Sequence, residues 1–196
     1  MIFGYLLGSI PFAYIIVWWK DRVDIRKMGS GNVGTLNSFE VTRSRIVGAT
    51  VLLLDVVKGV AGVMIPLSFY GNEFSSVAAA GIGAVVGHNF PVWLNWKGGR
   101  GLATAAGVMF VLGWIVVALW GVLWVLGFGA FRKVNIGNAV ATIGLLFFFV
   151  FSPGQWLEHL IAIHAQIGEI RWFGALLFLP IILRLIEPVK ELFTAR

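Results

Sequence analysis

Long apolar runs separated by short polar segments dominate the chain. Residues 1–19, 46–70, 75–90, 134–151 and 172–187 each read as one membrane span. About 20 apolar residues in a helix cross a hydrocarbon core of about 30 Å. In the first run Gly4 and Gly8 make a small-xxx-small face, and Ala79, Gly83 and Gly87 repeat that spacing in the third. Such faces predict close helix contacts. Residues 101–131 carry no charge. As one straight helix they would be about 46 Å long, more than a single crossing needs. A break near Gly113 makes two short spans and returns Arg132-Lys133 to the side of Lys97 and Arg100. One long tilted helix is the other reading.

The polar pattern supplies the connections. Residues 20–45 form a loop, Asn72-Glu73 a turn, and Pro91 ends the third span before an interfacial Val92–Trp96 segment. Ser152-Pro153-Gly154 is a turn, and Trp156, Leu160, Ile163, Ile167 and Ile170 recur at helical spacing. They predict an amphipathic helix on the outer surface. Pro180 is a possible kink in the last span. The expected fold is an all-α integral membrane protein with seven transmembrane helices. It is a single domain, residues 1–196, with no internal inverted repeat of the transporter kind. The first nineteen residues lack a basic leader and a cleavage site, so they read as a retained span.

Composition fixes the environment and the orientation. Of 196 residues 59% are hydrophobic, none is cysteine, and the net charge is +6. Disulfides and thiolate chemistry are excluded. All Lys and Arg residues except Arg171, down to the C-terminal Arg196, fall on or near one face. By the positive-inside rule that face is cytoplasmic, with the N-terminus outside and the C-terminus inside. A bacterial inner membrane is the expected location, and no nucleic-acid partner is expected.

Two glycine-rich segments on that face carry the candidate chemistry. The first is Gly29-Ser30-Gly31-Asn32-Val33-Gly34, followed by Asn37 and Arg43. Ser, Asn and Gly offer short donors and a backbone that approaches an anion closely. It also fits an ordinary turn-rich loop, and it lacks the Gly-Lys-Ser/Thr ending of a Walker loop. The second is Gly87-His88-Asn89-Phe90-Pro91 with Lys97-Gly98-Gly99-Arg100-Gly101. Arg100 can grip a phosphate bidentately, Lys97 adds a point charge, and the helix restarting at Leu102 offers free N–H groups. A plain basic anchor after a span is the bland reading. Asp55 and Lys58 share one helix face inside a span, as a structural ion pair or a substrate contact. His88 is either a hydrogen-bonded helix-end residue or a general base. The three histidines are scattered, so no metal site and no cofactor are expected.

These segments resemble a known family. Gly8-Ser9-Ile10-Pro11-Phe12, Asp24 through Gly34, Leu54-Asp55-Val56-Val57-Lys58-Gly59, Gly87 through Pro91 and Trp96 through Gly101 match bacterial acyl-phosphate-dependent glycerol-3-phosphate acyltransferases in order and spacing. The resemblance implies seven spans and three cytoplasmic motif loops. It implies transfer of a fatty acyl group from acyl phosphate to sn-glycerol 3-phosphate, giving lysophosphatidic acid and phosphate in phospholipid biosynthesis. It implies catalytic roles for Ser30, Asn32 and Arg100. Gly29, Gly31, Gly34, Asn37, Arg43, His88, Lys97, Gly98, Gly99 and Asn138 fall to substrate or phosphate binding. The implied partners are acyl phosphate, glycerol 3-phosphate, membrane lipid and the enzyme that supplies acyl phosphate.

The chain departs from the family pattern at several positions. Leu36 stands where the family has Thr and Glu40 where it has Arg. The third loop reads Arg132-Lys133-Val134-Asn135-Ile136-Gly137-Asn138, with Asn for both serines. Near the C-terminus Leu185 and Pro188 replace His and Asn. These changes predict weak glycerol 3-phosphate acylation with phosphate binding retained, unless Arg184, Lys190 or Asn138 compensates. The rival readings are a divergent or impaired relative with another acceptor, an anion transporter, and a headgroup transferase. The last needs clustered aspartates that Asp21, Asp24 and Asp55 do not provide.

Overall fold

The computed structural model describes residues Met1–Thr194, so Arg196 lies outside the described residues. The helices are α1 (Ile2–Gly8), α2 (Phe12–Asp21), α3 (Thr35–Thr42), α4 (Arg45–Tyr70), α5 (Phe74–Asn89), α6 (Leu102–Phe131), α7 (Val134–Phe151), α8 (Gly154–Leu160) and α9 (Ile167–Thr194). Short 3₁₀ turns lie at Ile25–Lys27 and Val92–Leu94. Among the described residues six helical stretches are long and apolar enough to cross a membrane.

Close approach of backbones organises the bundle. A Cβ at Gly4 or Gly8 on α1 would fall on the backbone of Ala80 or Ala84 of α5. Reciprocally, one at Gly83 or Gly87 would fall on Met1 or Tyr5. Helices α4 and α6 interlock the same way, Gly59 against Thr104 and Gly107 against Val56. In lipid there is little hydrophobic drive between helices, so this packing is a main source of association.

The expected first span is two helices. The chain breaks at Ser9-Ile10-Pro11, because Pro11 has no N–H for a helix to use. Two polar groups stabilise the break: Lys58 Nζ donates to the Ile10 carbonyl (3.0 Å) and Trp93 Nε1 to Ser9 Oγ (2.8 Å).

The long uncharged run breaks where expected, at Gly113, whose φ −178° and ψ 78° interrupt α6. Its neighbour Leu112 offers its carbonyl to Ala162 N–H (2.7 Å), and the Leu160 carbonyl lies against Gly113 Cα. Beyond the break α6 runs antiparallel to α7, tied by Trp120 Nε1 to Thr142 Oγ1 (3.2 Å) and Trp124 Nε1 to Asn138 Oδ1 (2.8 Å). Arg100, before α6, reaches Asn135 Oδ1 at 2.7 Å, just after it. The two ends of the run therefore meet.

Three expectations need correction. The 20–45 loop holds a helix, α3, with Gly34 as its N-cap. The surface helix does not run to Ile170. It stops at Leu160, and residues 161–166 are non-helical, with Ile161, Ile163 and Ala165 buried in alternation. An alternating pattern suits extended chain, because successive side chains point to opposite sides. The last span begins at Ile167, not 172. Arg171, placed apart from the other cations, closes the end of α7 by donating to the carbonyls of Phe149, Val150 and Ser152.

The glycine contacts predict opposite outcomes at two sites. Gly87→Val should lower the thermal midpoint, since overpacking costs about 1–3 kcal/mol. Gly121→Ala, with nothing within 4 Å of its added Cβ, should leave the midpoint unchanged or raise it. Equal midpoints for Gly87→Val and the parent would contradict the packing scheme.

Candidate anion site above an apolar cavity

The first glycine loop is shaped by one buried amide. Asn37, 1% exposed, sits in the first turn of α3. Its Nδ2 donates to the carbonyls of Ile25 (3.3 Å), Met28 (3.1 Å) and Asn32 (3.0 Å), and its Oδ1 accepts Ser30 N–H (3.0 Å). Gly29 and Gly31 take φ of 55° and 68°, a region glycine enters without steric cost. At the loop's start Asp24 Oδ1 accepts Arg26 N–H (3.0 Å), and its carboxylate pairs with the Arg26 guanidinium at 2.8 Å. Those hydrogen bonds hold the Asp24 carboxyl below its usual range. Asn32, Gly34, Thr35 and Leu36 then face the cavity.

The second loop is held from three directions. Gly98 N–H donates to the Asn89 carbonyl (3.2 Å) and Gly99 N–H to the His88 carbonyl (3.1 Å). Arg184 of α9 reaches over, Nη2 to Gly98 O (2.6 Å) and Nε to Gly99 O (3.2 Å). A Cβ at Gly98 or Gly99 would strike His88, so bare glycine is required by space. Gly101 turns the chain at φ 82° and caps α6.

Beneath this loop lies a buried polar cluster. Lys58 Nζ is 2.7 Å from Asp55 Oδ1, and His88 Nδ1 is 3.4 Å from the same oxygen. All three side chains are at most 7% exposed. Lys58 also grips the Ile10 carbonyl. The cluster thus joins the α1–α2 break to the His88 ring that backs Gly99.

An apolar cavity of about 360 Å³ opens beside the loops. Its polar lining is Asn32, Asp55, His88, Arg100, Asn138 and Thr142, and its apolar lining includes Met109, Val116, Trp120, Leu145 and Phe178. Among the described residues, Arg100 is the only Lys or Arg in that lining. Burial and the neighbouring Arg184 charge push it below its ordinary value, and the Glu191 and Glu40 carboxylates oppose them more weakly. Its Nε is buried with no hydrogen-bond partner among the described residues. Unmet donors and crowded positive charge make a place suited to an anion.

Of the residues singled out from sequence, Asn32, Gly34, Asp55, His88, Arg100 and Asn138 meet at the cavity, and Gly98 and Gly99 pack behind it. Ser30 and Lys97 are exposed on their loops, and neither they nor Gly29 and Gly31 line the cavity. Arg43 ends α3 in a left-handed conformation (φ 52°), exposed and away from the lining. Asn37 has its amide occupied within the loop. Asn135 on Arg100 had been missed as a site contact, and Arg184, named only as a possible compensation, lies on the glycine carbonyls. Arg184 stands beside Leu185, at the first position of the expected C-terminal motif. Leu185 packs in the core at 2% exposure rather than lining the cavity.

A multi-span helical protein with cation-bearing glycine loops over an apolar cavity fits a class that handles amphiphilic anions. Comparison gives the family. The family model described as glycerol-3-phosphate acyltransferase matches residues 1–195. A glycerol-3-phosphate acyltransferase of Thermotoga petrophila is 37% identical over 171 residues, covering 87% of this chain and 86% of the relative. One from Mesorhizobium japonicum is 39% identical over 157 residues, covering 78% and 77%. Crystal structures of PlsY, an integral membrane glycerol 3-phosphate acyltransferase, in glycerol 3-phosphate and lysophosphatidic acid forms superpose with TM-scores of 0.81 and 0.80. Each is 31% identical and covers 100% of this chain and 90% of its own. The chain belongs to the glycerol-3-phosphate acyltransferase family.

Asn37→Leu should unmake the first loop. It removes several buried hydrogen bonds at about 1 kcal/mol each and strands their carbonyls. Limited proteolysis at Arg26 or Lys27 should speed up strongly. Cleavage at the parental rate would show that Asn37 does not hold the loop.

Proposed function

We propose that the protein transfers a fatty acyl group from acyl phosphate to sn-glycerol 3-phosphate, releasing lysophosphatidic acid and inorganic phosphate. The carrying observation is Arg100, a part-buried cation with an unmet donor where the glycine loops meet an apolar cavity. A phosphate ester with a long hydrocarbon tail matches both halves. The family's named relatives and the glycerol 3-phosphate and lysophosphatidic acid forms of PlsY support the same reading.

In this reading Arg100, Asn32 and the N–H groups at the start of α6 hold phosphate, with Asn138 on the opposite rim. Ser30, Lys97 and Arg43 meet the anion as it arrives, on the exposed side of the loops. The acceptor hydroxyl attacks the acyl carbonyl carbon. The bond from that carbon to the phosphate-bridging oxygen breaks, and phosphate leaves with the electron pair and takes up the proton the hydroxyl gives up. Acyl phosphate is already activated, so no acyl-enzyme is needed. The protein's work is to bring two anions together and screen their repulsion. Lys58 and Asp55 hold His88 in place behind the loop. The partner that makes acyl phosphate supplies the donor.

The same reading has seven crossings, with the N-terminus outside and the site facing the cytoplasm in the inner membrane. It is supported by the Gly113 break, the Arg100–Asn135 contact and the one-sided cations. Leu185 sits in the core and Arg184 reaches the loop. That favours working acylation over the impaired relative suggested by the C-terminal departures.

Two measurements test the proposal. Purified protein offered acyl phosphate, acyl-CoA and acyl carrier protein should turn over glycerol 3-phosphate with acyl phosphate alone. Arg100→Ala should lose roughly tenfold or more, since a hydrogen bond to a charged group is worth about 1.5–3 kcal/mol. Turnover with acyl-CoA alone, or an undiminished Arg100→Ala, would overturn it. For topology, cysteine at Ser44 or Asn138 should be shielded from an impermeant outside reagent, and cysteine at Asn72 or Gln155 labelled. Labelling of the first pair would contradict the orientation.

A further inference from the structure

We infer that the apolar cavity measures the acyl chain, with a floor formed by Val116, Leu145 and Phe178 that sets the preferred length. The inference rests on the acyl-phosphate reading above. It concerns which donor the site selects.

The cavity has a polar mouth and a closed end. Asn32, Arg100, Val134 and Asn138 are at the mouth. The Trp124–Asn138 and Trp120–Thr142 hydrogen bonds set the pairing of α6 with α7. One more turn along α6 brings Val116 to the level of Leu145. On α9, Gly174 packs against Phe149, so Phe178 falls at that same level. All three line the cavity, and they are only 1%, 1% and 3% exposed. Below them Phe149, 0% exposed, meets Phe178 edge-to-face at 5.8 Å. The end is therefore shut by interlocked aromatic rings. Trp120 forms one wall, its indole fixed by Thr142.

Helix geometry gives the chain that fits. From Val134 to Leu145 the helix rises about 16 Å at 1.5 Å per residue. An extended hydrocarbon advances about 1.25 Å per carbon, from C–C bonds of about 1.52 Å opened at about 111°. The depth thus takes about thirteen carbons. This depth points to a chain of about twelve to fourteen carbons. A longer chain must fold back or leave the polar rim.

The test is a chain-length series read as a ratio within each protein preparation, which cancels differences in folded fraction. The parent should favour a twelve-carbon over a sixteen-carbon acyl phosphate in kcat/KM by about tenfold or more, since a methylene in an apolar pocket is worth roughly that much. Phe178→Ala and Leu145→Ala should move the optimum to longer chains, and Leu145→Phe to shorter ones. Alkyl phosphates cannot transfer an acyl group, so they test the pocket apart from the reaction. Dodecyl phosphate should raise the thermal midpoint of the parent more than hexadecyl phosphate, and Phe178→Ala should reverse that order. A parent with no acyl-phosphate turnover but this alkyl-phosphate order would overturn the donor reading and keep the measuring pocket. Equal response to both lengths in the parent, or an unchanged order in Phe178→Ala, would overturn the measuring pocket and leave the donor reading standing.

Discussion

The contact on which the site depends is the buried pair between Lys58 and Asp55, 2.7 Å apart inside a membrane-spanning helix. Ions in that setting are costly unless their remaining donors and acceptors are met. Here they are met by structure that would otherwise be incomplete. The ammonium satisfies the Ile10 carbonyl freed by the Pro11 break, and the carboxylate steadies His88. His88 then fixes Gly99 through its carbonyl and its ring. An isolated helix break, a lone buried charge and a glycine-rich loop would each be unstable. Together they complete one another's hydrogen bonds and hold Arg100 at the cavity mouth.

The same arrangement explains why the loops are rich in glycine on this face. Gly98 and Gly99 are excluded from carrying side chains by His88 and Val33, whereas Gly29, Gly31 and Gly101 are needed for left-handed backbone. The loops therefore present carbonyls inward to Arg184 and Asn37, and leave amides and Arg100 for an anion. The proposed substrate orientation follows from that asymmetry: charge at the loops, hydrocarbon below.

Much of the fold was legible in the sequence because lipid imposes a simple code. The apolar runs marked the helices from α4 to α7 to within a residue or so at most ends, and the length of 101–131 called for the break at Gly113. The misreadings arose where two periods compete. Ile163 and Ile167 fit helical spacing, yet Ile161, Ile163 and Ala165 alternate, and the alternation decided the structure. Helix α3 was hidden among glycines, too short to show a periodic face. For the site, residue types pointed to both glycine loops and to Asp55, Lys58 and Arg100. Sequence could not say that Asn37 would use its amide within the loop, nor that Arg184 would cross from α9 to the Gly98 carbonyl. Those are long-range contacts with no local signature.

In the proposed reading the ion pair positions the phosphate-binding loop rather than merely stabilising helices. Asp55→Leu with Lys58→Met tests it most directly, since replacing both buried ions by apolar groups of similar volume is often neutral or stabilising for the fold. Equilibrium binding of glycerol 3-phosphate, measured calorimetrically beside the thermal midpoint, separates the two roles. The expected result is a folded protein whose midpoint falls by no more than the unmet Ile10 carbonyl costs, about 1–3 kcal/mol, with at least about a tenfold loss of affinity, the size of one charge-assisted hydrogen bond misplaced. Parental affinity in a folded double variant would contradict it.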